Sequence, residues 1–290
     1  PPNGSDYVRL RNAAGDYLSA KQIRSIRFNG ASVLPADAIE WAVDSDPPDR
    51  SGNDALYSGS GDNFDRAIVR QVAVPAAPAT LTFETKYDTE VLFDYGFVQV
   101  STDGGDTYES LANAHTTAAV DPSVPQAIKD NLPGLNGNSG GWTSESFDLS
   151  PYAGQTILLS FRYMTDGGVA LPGWWVDDVR VNGALISDGS SLTGWQSPSE
   201  VNPTEVFRFT VQLIAYTANH KRVSVSKLRL DRNFDGSFSV RGKTGRLEKM
   251  IQHKATTVAA IVMYDEPTEL ITKYAPYALR VNGVLQPGGS

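Results

Sequence analysis

The sequence predicts an all-β protein, a β-sandwich followed by a smaller β-sandwich-like domain. Three observations point there. Apolar residues recur with a period of two and hardly anywhere with the period of a helix. Glycine and proline, 26 and 17 of them in 290 residues, cut the chain into the short elements that sandwiches use. The 12 Tyr, 11 Phe and 5 Trp suffice for packed cores, and the length admits one large sandwich or two units, of which two is the expectation.

Taken along the chain, the first strands are predicted at residues 56–57, 68–74 and 81–87. Phe97 opens a run in which Val98 and Val100 alternate with Gln99 and Ser101, and Asp103-Gly104-Gly105-Asp106 closes it as a tight hairpin turn before Tyr108. Residues 113–141 are long, polar and Gly-rich, which predicts a surface excursion outside the sandwich core. In the next strand Ile157, Leu159, Phe161 and Tyr163 share one face. In residues 174–181 the same alternation places Trp175, Asp177, Val179 and Val181 together. Later strands are predicted at 207–216, 223–230, 258–264 and 277–281, and short helices only at 125–132 and 245–253. A polar stretch at 196–204, carrying Pro198 and Pro203, precedes a restart of the pattern at Phe207, Phe209, Val211 and Leu213. The expected division is a larger sandwich at residues 1–199 and a smaller β domain at 200–290.

Composition removes several function classes. Without cysteine there are no disulfides, thiol nucleophiles or Cys-ligated zinc, and the compartment stays open between a cytosol and a Cys-poor bacterial exoprotein. The longest apolar run, residues 258–264, falls far short of the roughly 20 residues of a spanning helix, and no charged-then-apolar signal opens the chain, so a secreted form would already be trimmed. A net charge of −8, with basic residues scattered among carboxylates, argues against a nucleic-acid partner. The acids bunch instead, at Asp44, Asp46, Asp49 and Asp54, at Asp62 and Asp65, and at Glu84, Asp88, Glu90 and Asp94. Crowded carboxylates repel unless water or a cation screens them, so structural Ca²⁺ is the cofactor to look for, with a solvated acidic surface as the alternative.

Two segments supply the candidate calcium ligands. An inward Asp177 among apolar neighbours must be paired, hydrogen-bonded or metal-bound, and no Lys shares its face. Glu40, with Asp44 on the same segment, would complete a site if that segment lies beside the strand of Asp177. In Asp231-Arg232-Asn233-Phe234-Asp235-Gly236 the oxygens of Asp231, Asn233 and Asp235 alternate before a Gly, as in a calcium loop. The twelfth position of that loop is Gly242 where an EF-hand needs Glu, and strands flank it, so a plain hairpin turn explains the same residues.

Catalytic motifs fail on spacing or context. A zinc peptidase helix needs two His one turn apart with a Glu between them, and His115, His220 and His253 stand alone. Gly137-Asn138-Ser139-Gly140-Gly141 has the spacing of a hydrolase elbow, but no buried strand precedes it and no helix follows. Gly242-Lys243-Thr244 lacks the first Gly of a phosphate loop, and Gly59-Ser60-Gly61 leads to Phe64 where a dinucleotide fingerprint has Gly. No catalysis is expected from these residues.

Several stretches together resemble one family. They are Glu40-Trp41 with Asp44, residues 55–63, Tyr87-Asp88-Thr89-Glu90, residues 94–105, Leu132-Pro133-Gly134, Phe147-Asp148-Leu149-Ser150, Phe161-Arg162-Tyr163 with Thr165-Asp166-Gly167-Gly168, and Trp175-Val176-Asp177-Asp178-Val179. In this order they resemble the region downstream of the catalytic domain in immune inhibitor A-type secreted bacterial metallopeptidases. The resemblance implies a jelly-roll sandwich related to MAM and carbohydrate-binding modules, a secreted or cell-surface setting, and a structural Ca²⁺ near Asp177. Residues 101–108 also resemble the Asp-box hairpin of sialidases, a folding motif. The function expected is a non-catalytic, calcium-stabilised accessory module of a larger precursor, with a neighbouring domain, a protein or a glycan as partner. The alternatives are a glycan-binding module using Trp142, Trp174, Trp195, Tyr108 and Tyr152, or a self-assembling subunit of a filament or surface layer.

Overall fold

The computed structural model describes residues 2–240 and 245–289; Gly242-Lys243-Thr244 lies outside the described residues. The chain divides into two compact units, Pro1–Pro35 with Pro203–Ser290, and Ala36–Asn202. In chain order β1 (Ser5–Arg9) and β2 (Ser25–Gly30) lead into the second of these. It holds β3 (Ala42–Asp44), β4 (Ala55–Tyr57), β5 (Asp65–Ala73), β6 (Thr80–Asp88), β7 (Tyr95–Ser101), β8 (Glu109–Ser110), α1 (Gln126–Lys129), β9 (Thr143–Asp148), β10 (Thr156–Met164), β11 (Gly173–Val181), β12 (Ala184–Ser187) and α2 (Pro198–Val201). The chain then completes the first unit with β13 (Arg208–Tyr216), β14 (Val223–Lys227), β15 (Asp235–Ser239), α3 (Arg246–His253), β16 (Thr257–Asp265), β17 (Tyr277–Val281) and β18 (Val284–Leu285).

The unit at 36–202 is a sandwich of two antiparallel sheets, β3-β4-β11-β6-β9 with β12 on β11, and β5-β10-β7-β8. Alternation sends Leu81 and Phe83 of one sheet against Ile157, Leu159 and Phe161 of the other. Phe161 lies edge-on to both Phe83 and Trp174, at 5.1 and 5.6 Å between centroids, geometry that the aromatic quadrupoles favour. Every residue of β7 is buried. Val98 and Val100 enter the sandwich core, while Tyr95 and Phe97 pack with Val124, Ile128 and Met164 on the opposite face. The segment 113–141 is therefore more than a surface excursion, because it covers that outer face with a small core of its own.

Strand β11 departs from simple alternation. Its register against β6 slips between Asp177 and Arg180, and Asp178 takes a left-handed φ of 49°, the signature of a β-bulge. Trp174 and Val176 before the bulge and Val179 and Val181 after it all belong to the sandwich core. The face predicted for Trp175, Asp177, Val179 and Val181 is thus split, and Trp175 and Asp177 point to the other side of the sheet. After β7, the Ser101 hydroxyl donates to Asp103 at 2.7 Å and the Thr107 hydroxyl and N–H donate to the same carboxylate at 2.6 and 3.0 Å, closing the Asp-box-like hairpin.

The other unit has the sheets β1-β16-β13-β14 and β15-β2-β17-β18 around a core that includes Phe28, Leu213, Ile251 and Val262. Residues 1–35 belong here and not to the first sandwich, as the sequence division had it. The physical reason is strand pairing: β1 pairs with β16, and β2 lies between β15 and β17. The other division, near residue 200, falls at Asn202 and Pro203. No helix among the described residues is long and apolar enough to cross a membrane.

Candidate metal centre

Strands β7 and β10 run antiparallel with Tyr95 opposite Met164. That register places the residues just outside each strand, Asp94 on one side and Thr165-Asp166 on the other, side by side. The Asp166 N–H donates to Asp94 Oδ1 at 3.1 Å. Glu90 reaches the same point because residues 90–94 form a turn, in which its carbonyl accepts the N–H groups of Phe93 and Asp94 at 3.2 and 3.0 Å. The Asn136 amide clamps this turn, donating to the carbonyls of Glu90 and Asp94 at 3.0 and 2.8 Å and accepting the Leu92 N–H at 3.1 Å.

Among the described residues Glu90, Asp94 and Asp166 are the group of three whose carboxylate oxygens all lie within 4.8 Å of one another. Asp94 is 1% exposed, and its Oδ2 is buried with no hydrogen-bond partner. Burial, reinforced by the charges of Asp166 and Glu90 and opposed by backbone N–H donors, pushes the Asp94 carboxyl up to about 7. Glu90 is also raised, by desolvation and by Asp166 and Asp62. An unsatisfied buried acceptor between two further carboxylates fits a hard cation; an all-oxygen donor set suits Ca²⁺ or Mg²⁺ over the softer metals.

The residues singled out from sequence lie elsewhere. Asp177 is buried as expected, but its charge is met by Arg50, whose guanidinium donates to Oδ2 at 2.9 Å. The Asn53 amide donates to the same oxygen at 2.6 Å and the Asp178 N–H donates to Oδ1 at 2.6 Å. Desolvation still raises the Asp177 carboxyl, against the pull of Asp178, Asn53 and Arg50. Arg50 also stacks over Trp142, 4.5 Å from the ring centroid. Glu40 sits 3.7 Å from Arg66, and Asp44 accepts the indole N–H of Trp175 at 2.8 Å. Neither joins Asp177 in a three-ligand group. Asp231 Oδ1 accepts the N–H groups of Asn233 and Asp235 at 2.9 and 3.0 Å, and Asp235 accepts from Asn29 at 2.7 Å, so this loop is a hairpin turn closed on its own backbone. Two of the three carboxylates of the gathered group, Glu90 and Asp94, are legible in the run of acids; Asp166 joins them only through the β7–β10 register.

Ser139, His115 and His220 make local contacts. The Ser139 hydroxyl donates to the Gly141 carbonyl at 2.7 Å and accepts the Tyr87 N–H at 3.1 Å. His115 Nδ1 lies 2.9 Å from Glu145, whose side chain is fully buried and also accepts from Asn113 at 2.6 Å. His220 closes a turn against the Tyr216 ring. Trp174 and Trp195 are core residues, 0% and 4% exposed.

The fold and the carboxylate group define an all-β sandwich domain with an oxygen-donor centre where two adjacent strands meet their loops. Residues 42–191 match the family described as immune inhibitor A-like, MAM domain, and the chain belongs to that family. It is 36% identical over 153 residues to the pre-pro-metalloprotease PrtV of Vibrio cholerae, covering 50% of this chain and 15% of that protein. It is 29% identical over 188 residues to immune inhibitor A of Bacillus thuringiensis subsp. alesti, 63% of this chain and 24% of the relative. With bacillopeptidase F of Bacillus subtilis it shares 28% over 160 residues, 52% of this chain and 9% of the relative. The matched region is thus a minor part of each of these longer proteins.

Proposed function

We propose that this chain is a non-catalytic accessory β-region of a larger secreted or surface protein, a metallopeptidase, and that Ca²⁺ bound by Glu90, Asp94 and Asp166 stabilises its MAM domain. The observation that carries the calcium reading is the partnerless Asp94 Oδ2, buried between two further carboxylates. Ca²⁺ takes six to eight oxygens, so three carboxylates leave room for carbonyl and water ligands. The peptidase reading rests on the family and on the metalloprotease among its relatives. Its role there is to stabilise the neighbouring domain or help it engage substrate.

A cation bound only by the folded state stabilises it by about 2.7 kcal/mol at a hundredfold excess over Kd, or roughly 5–10 °C for a domain of this size. Thermal melts in EDTA and in 1 mM CaCl₂ are expected to differ on about that scale, and Asp94→Asn is expected to abolish the difference. Equal melts for the wild type would overturn the calcium reading. The peptidase reading has its own test: the parent reading frame is expected to encode a His-Glu-x-x-His helix.

One observation favours a second reading, glycan binding. A groove of about 220 Å³ is lined by Asp65, Gln99, Tyr108, Ser160 and Arg162, and the Gln99 Oε1 and Tyr108 hydroxyl in it are buried without partners. A neutral-glycan array with Gln99→Ala as control tests this reading.

A further inference from the structure

The basic residues that look scattered in sequence converge in space. Helix α3 buries Leu247, Met250 and Ile251 and carries Arg246, Lys249 and His253 at i, i+3 and i+7, which is one stripe of its surface. Across from this stripe, the end of the β13–β14 turn contributes Lys221 and Arg222, and Lys254 follows the helix. Together with Val223, Ser224 and Met250 these six residues line a cleft of about 880 Å³. Among the described residues no acidic side chain lines it, and none of the six basic side chains takes part in an ion pair. In a chain of net charge −8, where other basic side chains such as Arg50, Arg162 and Arg208 are paired with carboxylates, an unneutralised cluster facing one concavity favours an anion.

We propose that this cleft binds a saccharide bearing at least two sulfate or phosphate groups. Its volume lies in the usual range of small-molecule sites, about 300–1,000 Å³. Cations stand on both the helix wall and the turn wall, so a ligand that satisfies them carries more than one oxyanion group. Val223, Met250 and the aliphatic stems of the Lys and Arg side chains offer apolar surface to the C–H face of a sugar ring. Among the described residues no aromatic side chain lines the cleft, which therefore does not offer the stacking platform that single-stranded nucleic acid uses. The cleft lies within the unit formed by residues 1–35 and 203–290 and is independent of the carboxylate centre and of the peptidase reading.

The test is calorimetric titration of the whole chain, in EDTA, with a heparin tetrasaccharide in one arm and glucose 1,6-bisphosphate in another, each against its uncharged counterpart. At least one anionic sugar is expected to bind about tenfold or more tighter than its neutral analogue, and to weaken as salt rises from roughly 0.05 to 0.3 M. The double substitution Arg222→Glu with Lys249→Glu is expected to remove that binding, and Arg222→Gln with Lys249→Gln to weaken it, each with an unchanged melt. Arg232→Glu with Arg280→Glu changes the net charge equally at exposed positions outside the cleft and is expected to leave binding intact. Binding in the tetrasaccharide arm alone assigns a sulfated sugar, in the bisphosphate arm alone a phosphorylated one, and in both a site that reads charge spacing. Equal loss in the Arg232/Arg280 control, undiminished binding in the cleft variants, or binding of anionic vesicles and neither sugar would overturn the proposal.

Discussion

The Asp177–Arg50 pair shows how a buried charge is settled by a distant part of the chain. The carboxylate is 1% exposed while the guanidinium keeps about a quarter of its surface in water, so removing the cation strands an acid that cannot reach solvent. Arg50→Ala is expected to destabilise the MAM unit by about 3 kcal/mol, read from urea unfolding, and Asp177→Asn by less because the Asn53 bond has a neutral substitute. The sequence makes Asp177 conspicuous because a carboxylate stands in an apolar strand. Its partner is not legible there, since Arg50 lies in a loop 127 residues earlier and nothing in the local pattern of β11 points to it. Asp103 is the opposite case, where the ligands are local. The Thr107 hydroxyl and N–H and the Ser101 hydroxyl hold its carboxyl well below the ordinary range. The folded state therefore favours the ionised form, and the stability this adds is present above about pH 4 and lost as pH falls through the depressed folded value. Carbon-detected NMR titration of Asp103 is expected to show a midpoint below the ordinary aspartate value of about 3.9, and Thr107→Val to raise it.

Among the elements, β7 has the least tolerance for change because both of its faces are covered. Gly96 sits where a Cβ would come within 2.8 Å of the Trp174 ring, and Trp174 is fully buried. Gly96→Ala is expected to cost about 1–3 kcal/mol by overpacking, measured by the shift in urea midpoint at unchanged m-value. The same strand marks how far periodicity can be read. Val98 and Val100 alternate visibly, whereas the burial of Tyr95 and Phe97 on the other face depends on Val124 and Ile128 of the segment 113–141 folding over them. In β11 the alternation itself misleads, because the bulge at Asp177-Asp178 moves every later residue to the other face. A single extra residue has no signature in a hydrophobicity pattern. Helix α2 did have one, the capping box Ser197-x-x-Glu200, in which Ser197 accepts the Glu200 N–H and Glu200 accepts the Ser197 N–H.

For the molecule as a whole, the all-β class and the sandwich were legible because they follow from composition and period, whereas the assignment of residues 1–35 required strand pairing across the whole chain. Deleting residues 1–35 is expected to unfold residues 203–290, which lose β1 and β2, and to leave 36–202 folded. Limited proteolysis of the shortened chain checks this, the expected product being a resistant fragment near 36–202. The joins explain why such an arrangement is stable. The Leu34 N–H donates to the Thr204 carbonyl and the Val206 N–H to the Ser32 carbonyl, both at 2.8 Å, while the Asp37 N–H donates to the Ser199 hydroxyl at 2.7 Å. The chain therefore leaves and re-enters one fold side by side, at the antiparallel bridge of Val33 with Glu205, closing 167 residues, Ala36–Asn202, into what that fold sees as a loop. Time is where this matters during synthesis. At about 5–20 residues per second, β2 emerges roughly 10–40 s before its first partner β15 can follow, an interval in which the inserted sandwich can finish folding while its host has not begun.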